Sequence, residues 1–258
     1  MPPRISFDHV ADVYDETRAY AQGVTDLIGE ALERVVSKES RLLEVGVGTG
    51  RTAHPLTERG FDITGVDIST GMLSKARAKG LRRLLIADAT ALPFADLAFD
   101  HVLSAHLTHL ISDWRHALAE IGRVASGLYL SVINERIGCQ AEEMQRAYED
   151  LCAEDGFEVR HPGMREREIA DIVAPLKTID IADSTESVPV EKAIGRYRSR
   201  CFSDQWSVPD DVHENAMRKL ERMYAGVKEL DRREKTRLFI WSAGYIRECA
   251  SEPVRTPE

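Results

Sequence analysis

Apolar positions in the first half of the chain alternate between two periods. Val24, Leu27, Ile28, Ala31, Leu32 and Val35 recur at helical spacing. Leu42-Leu43-Glu44-Val45 is a short apolar run closed by glycines, and predicts a buried strand. Arg51 to Arg59 reads as a helix with Gly60 just beyond its end. Ile63 to Val66 predicts a second strand. Ser69 is placed to cap a helix running to Lys79, followed by Gly80. Leu84 to Ala87 and Phe99 to Ser104 predict two further strands. Ser112 or Asp113 can start a helix carrying Trp114, Leu118, Ile121 and Val124, and Leu128 to Ile133 reads as the fifth strand. Five strand–helix alternations predict a parallel sheet with helices on both faces. Ligands of such sheets bind outside the carboxyl ends of the strands, here the loops after residues 45, 67, 88 and 104.

The second half is patterned differently. Ala141 to Cys152 and Glu166 to Val173 read as helices, and Thr178 to Val188 as a late strand. Lys192 to Tyr197 and Asp211 to Val227 read as helices, separated by Ser203-Asp204-Gln205-Trp206 and the break at Pro209. Arg237 to Tyr245 reads as a final strand. No internal repeat or low-complexity tract appears.

Composition narrows the class. The 258 residues are 43% apolar and 30% charged, the balance of a soluble globular chain. The apolar runs are far shorter than the roughly 20 residues needed to cross a bilayer, which predicts no membrane span. A net charge of −9 lacks the basic footprint of a protein that grips DNA through its phosphates, although a local patch for RNA stays open. Cys139, Cys152, Cys201 and Cys249 are scattered without metal-site or disulfide spacing, so no metal is expected. They suit the free thiols of a reduced cytosol. Met1-Pro2-Pro3-Arg4 begins no apolar stretch of signal-peptide length, so the expected location is cytoplasmic.

The chemistry concentrates at the glycine loop. Gly46, Gly48 and Gly50 stand between a strand and a helix, where positive φ and close backbone approach are useful. Asp67 ends the next strand, near the roughly 20-residue offset of an acid that accepts from ribose hydroxyls. A dinucleotide fingerprint places its third glycine one residue later. Glu44 before the loop repels a pyrophosphate and suits a cationic ligand.

Four segments in order, LLEVGVGTGR at 42–51, GVDISTGMLSKAR at 65–77, ADATALPFAD at 87–96 and FDHVLSAHLTHLISDW at 99–114, resemble the class I S-adenosylmethionine-dependent methyltransferases of small-molecule type. The resemblance covers about residues 7 to 134. It implies an α/β Rossmann-like fold with a seven-stranded, mostly parallel sheet, helices on both faces and a helical cap. It further implies S-adenosyl-L-methionine as cofactor and S-adenosyl-L-homocysteine as product. Gly46, Gly48 and Gly50 would line the methionine and ribose portion. Glu44 would face the ammonium, directly or through water, and Asp67 the ribose hydroxyls. Ile68 and Met72 would pack near adenine, Asp88 and the Ala89 N–H would meet its edge, and Ser104 would offer backbone contacts near the methionine end. Tyr14 and Arg18 would lie over the cofactor, although their i,i+4 spacing also suits a plain packing pair. The family's proline-glycine-glycine turn before the fifth strand is shortened here to Arg123-Val124-Ala125-Ser126-Gly127.

These readings divide the chain into one domain, 1–258. Within it are an N-terminal cap helix in 1–22, a cofactor-binding core at 37–134 and a helical insertion at 189–232 that would lie over the substrate as a lid. The expected activity is methyl transfer to a small-molecule acceptor by in-line displacement, by a monomer or homodimer. The competing readings are an NAD-dependent oxidoreductase and a non-catalytic protein that binds S-adenosylmethionine. His106 is the candidate general base, while His109 reads as a polar loop residue and His101 as structural. Tyr20, Arg198 and Trp206 are candidate substrate contacts. The last two belong to a cluster of Arg196, Arg198 and Arg200 around Tyr197 that suits an aromatic or carboxylate-bearing ligand, and equally a solvated helix face. Ser104-Ala105-His106-Leu107 stands where base-amine methyltransferases carry an asparagine-proline-proline-tyrosine motif, which argues against that acceptor.

Overall fold

A computed structural model describes residues 5–251. The first four residues of the expected N-terminal cap lie outside it. Seven strands form one sheet: β1 (Arg41–Val45), β2 (Asp62–Asp67), β3 (Leu84–Ile86), β4 (Phe99–Ala105), β5 (Ala125–Arg136), β6 (Lys177–Pro189) and β7 (Glu229–Ser242), in the order β3-β2-β1-β4-β5-β7-β6. The pairings among the first five are parallel. β7 runs antiparallel between β5 and β6. Its Ile240 faces Leu176 while its Arg233 faces Asp183 and its Glu229 faces Ser187, so one strand ascends as the other descends.

The helices that cover the strands follow the local signals. In α2 (Val24–Glu33) the buried residues are Val24, Ile28, Ala31 and Leu32, the predicted stripe. α3 (Ala53–Glu58) ends before Gly60, whose φ is +93°. The Ser69 hydroxyl caps α4 (Thr70–Ala78) by accepting from the Met72 N–H at 3.1 Å. Of the two candidate caps for α5 (Trp114–Val124), Asp113 is the one used, accepting from His116 N–H at 3.3 Å. α5 then passes into β5 with no turn, which is how the chain dispenses with the second glycine. Gly127 is held against β4, where a Cβ would fall 2.9 Å from the Asp100 carbonyl and from the His101 ring. His101 is structural, as read: its Nδ1 accepts from Leu128 N–H at 3.1 Å, beside the register shift between Phe99 and His101.

Before β1, α1 (Tyr14–Arg18) is a single short turn of helix. The chain departs from the sequence reading after residue 223. The helix expected to reach Val227 stops at Met223, ahead of Gly226 at φ +86°. The last strand starts earlier than expected and stops at Ser242. Residues Ala243–Ser251, read partly as strand, form a helix. Ala243 and Ile246 are fully buried and Ala250 packs on the same core, a helical spacing that an alternating strand would break.

The described residues divide into two compact units, one built from residues up to 133 with 162–181 and 237–251, the other from 134–161 and 182–236. The first holds the glycine loop and α7 (Glu166–Ile172). Its core centres on Trp241, which stacks between Tyr129 and Phe239 at 5.4 and 5.5 Å and donates from Nε1 to the Val173 carbonyl at 2.8 Å. The second contains α6 (Gln140–Glu154), α8 (Val190–Arg198), α9 (Asp210–Met223) and the continuations of β5, β6 and β7. Tyr148, Leu151, Tyr197, Met217 and Leu220 belong to its own core. The segment 189–232 lies within this unit and shares its core with α6.

α10 (Ala243–Ser251) lies against α5 at Gly122. A Cβ there would sit 2.5 Å from the Ala243 carbonyl oxygen and 2.6 Å from the Arg247 Cβ. Gly122→Ala should destabilise the first unit by about 1–3 kcal/mol through overpacking. That is a fall of about 2–10 °C in the thermal midpoint, whereas an unchanged midpoint would contradict this close approach.

Candidate functional site

A cleft in the first unit opens at the carboxyl ends of β1, β2 and β4. Val45, Gly46 and Gly48 form one side, Asp67, Ile68 and Met72 a second, Ala87 to Thr90 a third, and Ala105 to Leu107 with Leu110 to Asp113 a fourth. Phe7 and Tyr14 reach it from the N-terminal segment. Thus Tyr14, Gly46, Gly48, Asp67, Ile68, Met72, Asp88, Ala89 and His106, predicted from separate motifs, share one cavity.

The glycine loop is held by backbone geometry. The N–H groups of Gly46 and Val47 both donate to the Val66 carbonyl, at 2.9 and 3.0 Å. Gly48 has φ +55° and turns its N–H to Asp67 Oδ2 at 2.8 Å, while Asp67 Oδ1 accepts from Ser69 N–H at 2.8 Å. Each carboxylate oxygen has a second lone pair for another donor. Burial pushes the Asp67 pKa up, against the pull of those N–H groups. Gly50 (φ +76°) does different work: a Cβ there would lie 2.5 Å from Leu81 Cδ1, so it permits close packing and does not line the cleft.

Glu44 lies just behind the lining, in the central strand, and is 1% exposed. Its Oε2 is buried with no hydrogen-bond partner. Desolvation pushes its pKa up to about 8, opposed by the Arg51 charge and assisted by Asp67. Asp88 Oδ1 accepts from Thr90 N–H and Oγ1 at 2.9 and 2.8 Å, so this acid also shapes its own turn.

After β4 the wall of the cleft is formed by Ala105 and His106, next to Ser104, which was expected to offer backbone contacts. Ser104 is fully buried and turns its hydroxyl toward Tyr129 Oη at 2.9 Å and Ser131 Oγ at 3.2 Å, inside the core. His106 has φ +56°, a left-handed conformation uncommon for a non-glycine residue. Burial, then the charges of Arg51 and Arg18, push its pKa down to about 3. That keeps the imidazole neutral near pH 7. The ring of His109 meets that of His106 edge-on at 6.5 Å.

Sequence reasoning missed the residues that hold this arrangement. Arg51 lies over the Tyr20 ring at 4.1 Å and donates to the Arg18 carbonyl, so Tyr20, expected at the substrate, instead covers a guanidinium. Arg18 lies 5.8 Å from the Tyr14 ring. Asp8 Oδ1 accepts from Ser69 Oγ and Gly71 N–H, both at 2.7 Å, and Asp15 accepts from Thr49 Oγ1 at 2.6 Å. These contacts pin the N-terminal segment to the glycine loop and to α4. Buried Glu166 accepts from the N–H groups of Leu107 and Thr108 at 3.0 and 3.3 Å, fixing the wall after His106. The other two candidate substrate contacts belong to the second unit. There Arg198 pairs with Glu221, and Trp206 Nε1 donates to the Arg200 carbonyl at 2.8 Å.

Residues 43–127 match the family model of the methyltransferase domain. The demethylmenaquinone methyltransferase of Renibacterium salmoninarum is 35% identical over 128 residues, which are 46% of this chain and 52% of that protein. The malonyl-[acyl-carrier protein] O-methyltransferase of Halorhodospira halophila is 35% identical over 129 residues, 48% of this chain and 44% of that protein. The chain therefore spans about half the length of the curated relatives it matches. The crystal structure of the YcgJ protein from Bacillus subtilis superposes with a TM-score of 0.54 at 20% identity, covering 84% of this chain and 97% of that one, and so shares the fold. Among the described residues no helix is long and apolar enough to cross a membrane.

The buried acid makes a testable demand. The folded Glu44 carboxyl holds its proton to about pH 8, against about 4.3 in an unfolded chain. Its contribution to stability is therefore complete at low pH and declines as pH rises between those values. Glu44→Gln removes this dependence. The midpoint advantage of the variant over the parent, measured without ligand, should grow from pH 5 to pH 8; a constant difference would refute a buried carboxyl that holds its proton.

Proposed function

We propose that this member of the class I S-adenosylmethionine-dependent methyltransferases transfers the cofactor's methyl group to a small-molecule acceptor. The observation that carries the reading is the partnerless Glu44 Oε2 beneath the glycine loop, with Arg51 acting on it. Side-by-side opposite charges suit the ammonium and carboxylate of an amino-acid moiety, whereas a buried acid repels a pyrophosphate.

The residues present fit that cofactor. Glu44 draws the ammonium, and Arg51 and Arg18 balance the carboxylate. Asp67 keeps lone pairs for two ribose hydroxyls while Gly48 and Ser69 hold it in place. Ile68, Met72 and Ala89 give adenine apolar faces, with Asp88 at its edge. When bound, the sulfonium supplies an electrophilic methyl group, and its positive charge is lost as the methyl leaves. The chain's own work is alignment and exclusion of water. Phe7, Tyr14, Leu110 and Ile111 give the rest of the cleft an apolar, partly aromatic wall, which supports an apolar or aromatic acceptor. One named relative is a demethylmenaquinone methyltransferase, which favours the small-molecule reading, and the other a methyltransferase of a carrier-protein-bound malonyl group. His106, held neutral, orients the acceptor. Acceptors that arrive as amines, thiolates or enolates need no base.

Thermal unfolding with S-adenosylhomocysteine at about a hundred times its Kd should add about 2.7 kcal/mol, a rise of about 5–10 °C for a chain of this size. NAD should give no shift. A shift with NAD alone would overturn the assignment.

Calorimetry reports on the acid itself. Near pH 7 the ammonium must ionise Glu44, so binding of S-adenosylhomocysteine should release a proton, seen as a dependence of the heat on buffer ionisation enthalpy. Glu44→Gln should abolish that release and weaken binding about tenfold or more, since a charged hydrogen bond contributes about 1.5–3 kcal/mol. Undiminished proton release in the variant would remove Glu44 from the site.

A further inference from the structure

The second unit sorts the arginines that the sequence grouped together. Arg198 pairs with Glu221. Arg200 donates to the carbonyls of Gln205 and Val208, at 3.3 and 2.7 Å, and to Asp210 at 2.8 Å. Arg196 is left half-buried with neither a hydrogen bond nor an ion pair from its side chain among the described residues. Burial and the like charge of Arg136 both act against its protonated form, and the pull of Glu234 does not reverse them. Glu234 already accepts from Asn134 Nδ2 at 2.6 Å and lies 3.6 Å from Arg232 Nε.

Around Arg196 the other groups are pre-positioned. Arg136 lies over the Phe202 ring at 5.1 Å, with Nη1 donating to Gln145 Oε1 at 3.2 Å. Tyr197, 4% exposed, packs on the same Phe202 ring at 5.1 Å. Its hydroxyl is buried beside the Arg136 side chain, which is placed to donate to its oxygen, and its own O–H meets no protein acceptor. The Arg136 guanidinium and the Tyr197 hydroxyl are thus neighbours, and the Arg136 charge also acts on Arg196.

We propose that Arg136, Arg196 and the Tyr197 hydroxyl form an oxyanion-binding site in the second unit, taking a carboxylate or a phosphate. The guanidinium fork matches either group in a bidentate contact. Stacking on Phe202 orders Arg136 before the ligand arrives, and partial burial strengthens each contact relative to water. A bound anion accepts from the Tyr197 O–H and relieves the repulsion between the two arginines. Asp204, whose Oδ1 is buried and unpartnered, and Glu149 both act on Tyr197, and their charges oppose the anion. This site needs no bound cofactor and is separable from methyl transfer.

The test is thermal unfolding and calorimetric titration of the whole chain with sodium phosphate and with sodium benzoate, against sodium chloride at equal ionic strength. One of the two anions should give a saturable rise in midpoint beyond chloride, and which one responds distinguishes phosphate from carboxylate. Arg196→Met should weaken that response about tenfold or more. Its own midpoint without anion should be unchanged or higher, because no protein partner is lost and a like charge is removed. Tyr197→Phe should weaken binding with the fold intact, and Asp204→Asn should strengthen it. The proposal fails if neither anion exceeds chloride. It also fails if the response survives in Arg196→Met, or if that variant lowers the midpoint while leaving the anion response unchanged.

Discussion

Burying a carboxyl group in the central strand of a parallel sheet is the constraint from which the site follows. Glu44 sits between Leu43 and Val45, with β2 on one side and β4 on the other, and has no route to water. Desolvation there costs several kcal/mol for an ionised group, and Arg51 offsets part of it. Arg51 in turn needs fixing, and Tyr20 and the Arg18 carbonyl supply it. Both lie in the N-terminal segment, which Asp8 and Asp15 stitch to the cap of α4 and to the glycine loop. The covering of the cleft by Phe7 and Tyr14 is thus an electrostatic consequence of one acid in β1.

A second buried acid shows why burial alone does not mark a functional group. Glu166 is as enclosed as Glu44, and desolvation raises its pKa too. Yet its Oε1 accepts from two backbone N–H groups, those of Leu107 and Thr108. The Thr108 hydroxyl donates to the Met164 carbonyl at 2.7 Å, and Gly163 N–H to the His109 carbonyl at 2.9 Å. These bonds offset the left-handed backbone at His106, a conformation that persists only where the surroundings over-determine it. Glu166 is satisfied and structural; Glu44 retains an oxygen that the protein does not satisfy.

The parts legible in the sequence were those whose physics is local. Positive-φ glycines at 46, 48, 50, 60 and 80, the Ser69 and Asp113 caps and the stripe of α2 each act within one or two turns. The illegible parts act across tens of residues. Asp8 meets Ser69, Arg51 meets Tyr20, and Glu166 meets Leu107, and no spacing rule joins such positions. α10 was missed for a related reason. Leu238 to Trp241 is a run that reads as strand, and the switch to helical spacing at Ala243 shows only when Gly122 of α5 is in place to receive it. Ser104 was expected to offer backbone contacts at the methionine end, and alternation along β4 sends its side chain into the core.

The arginine-rich turn shows where residue type stops being informative. Arg196, Arg198 and Arg200 are equivalent in sequence, and only their partners separate them: Glu221 takes one, Asp210 and two carbonyls take another, and none takes the third. Glu44 in the first unit and Tyr197 in the second are among the buried polar groups with hydrogen-bonding capacity left over, and Arg196 is a half-buried cation without a protein partner. The signs are opposite. An acidic oxygen under a glycine loop calls for a cation, and paired guanidiniums beside a hydroxyl call for an anion. Because an unsatisfied buried group is costly to keep, the charge of the group left over indicates the charge of the ligand proposed for each unit.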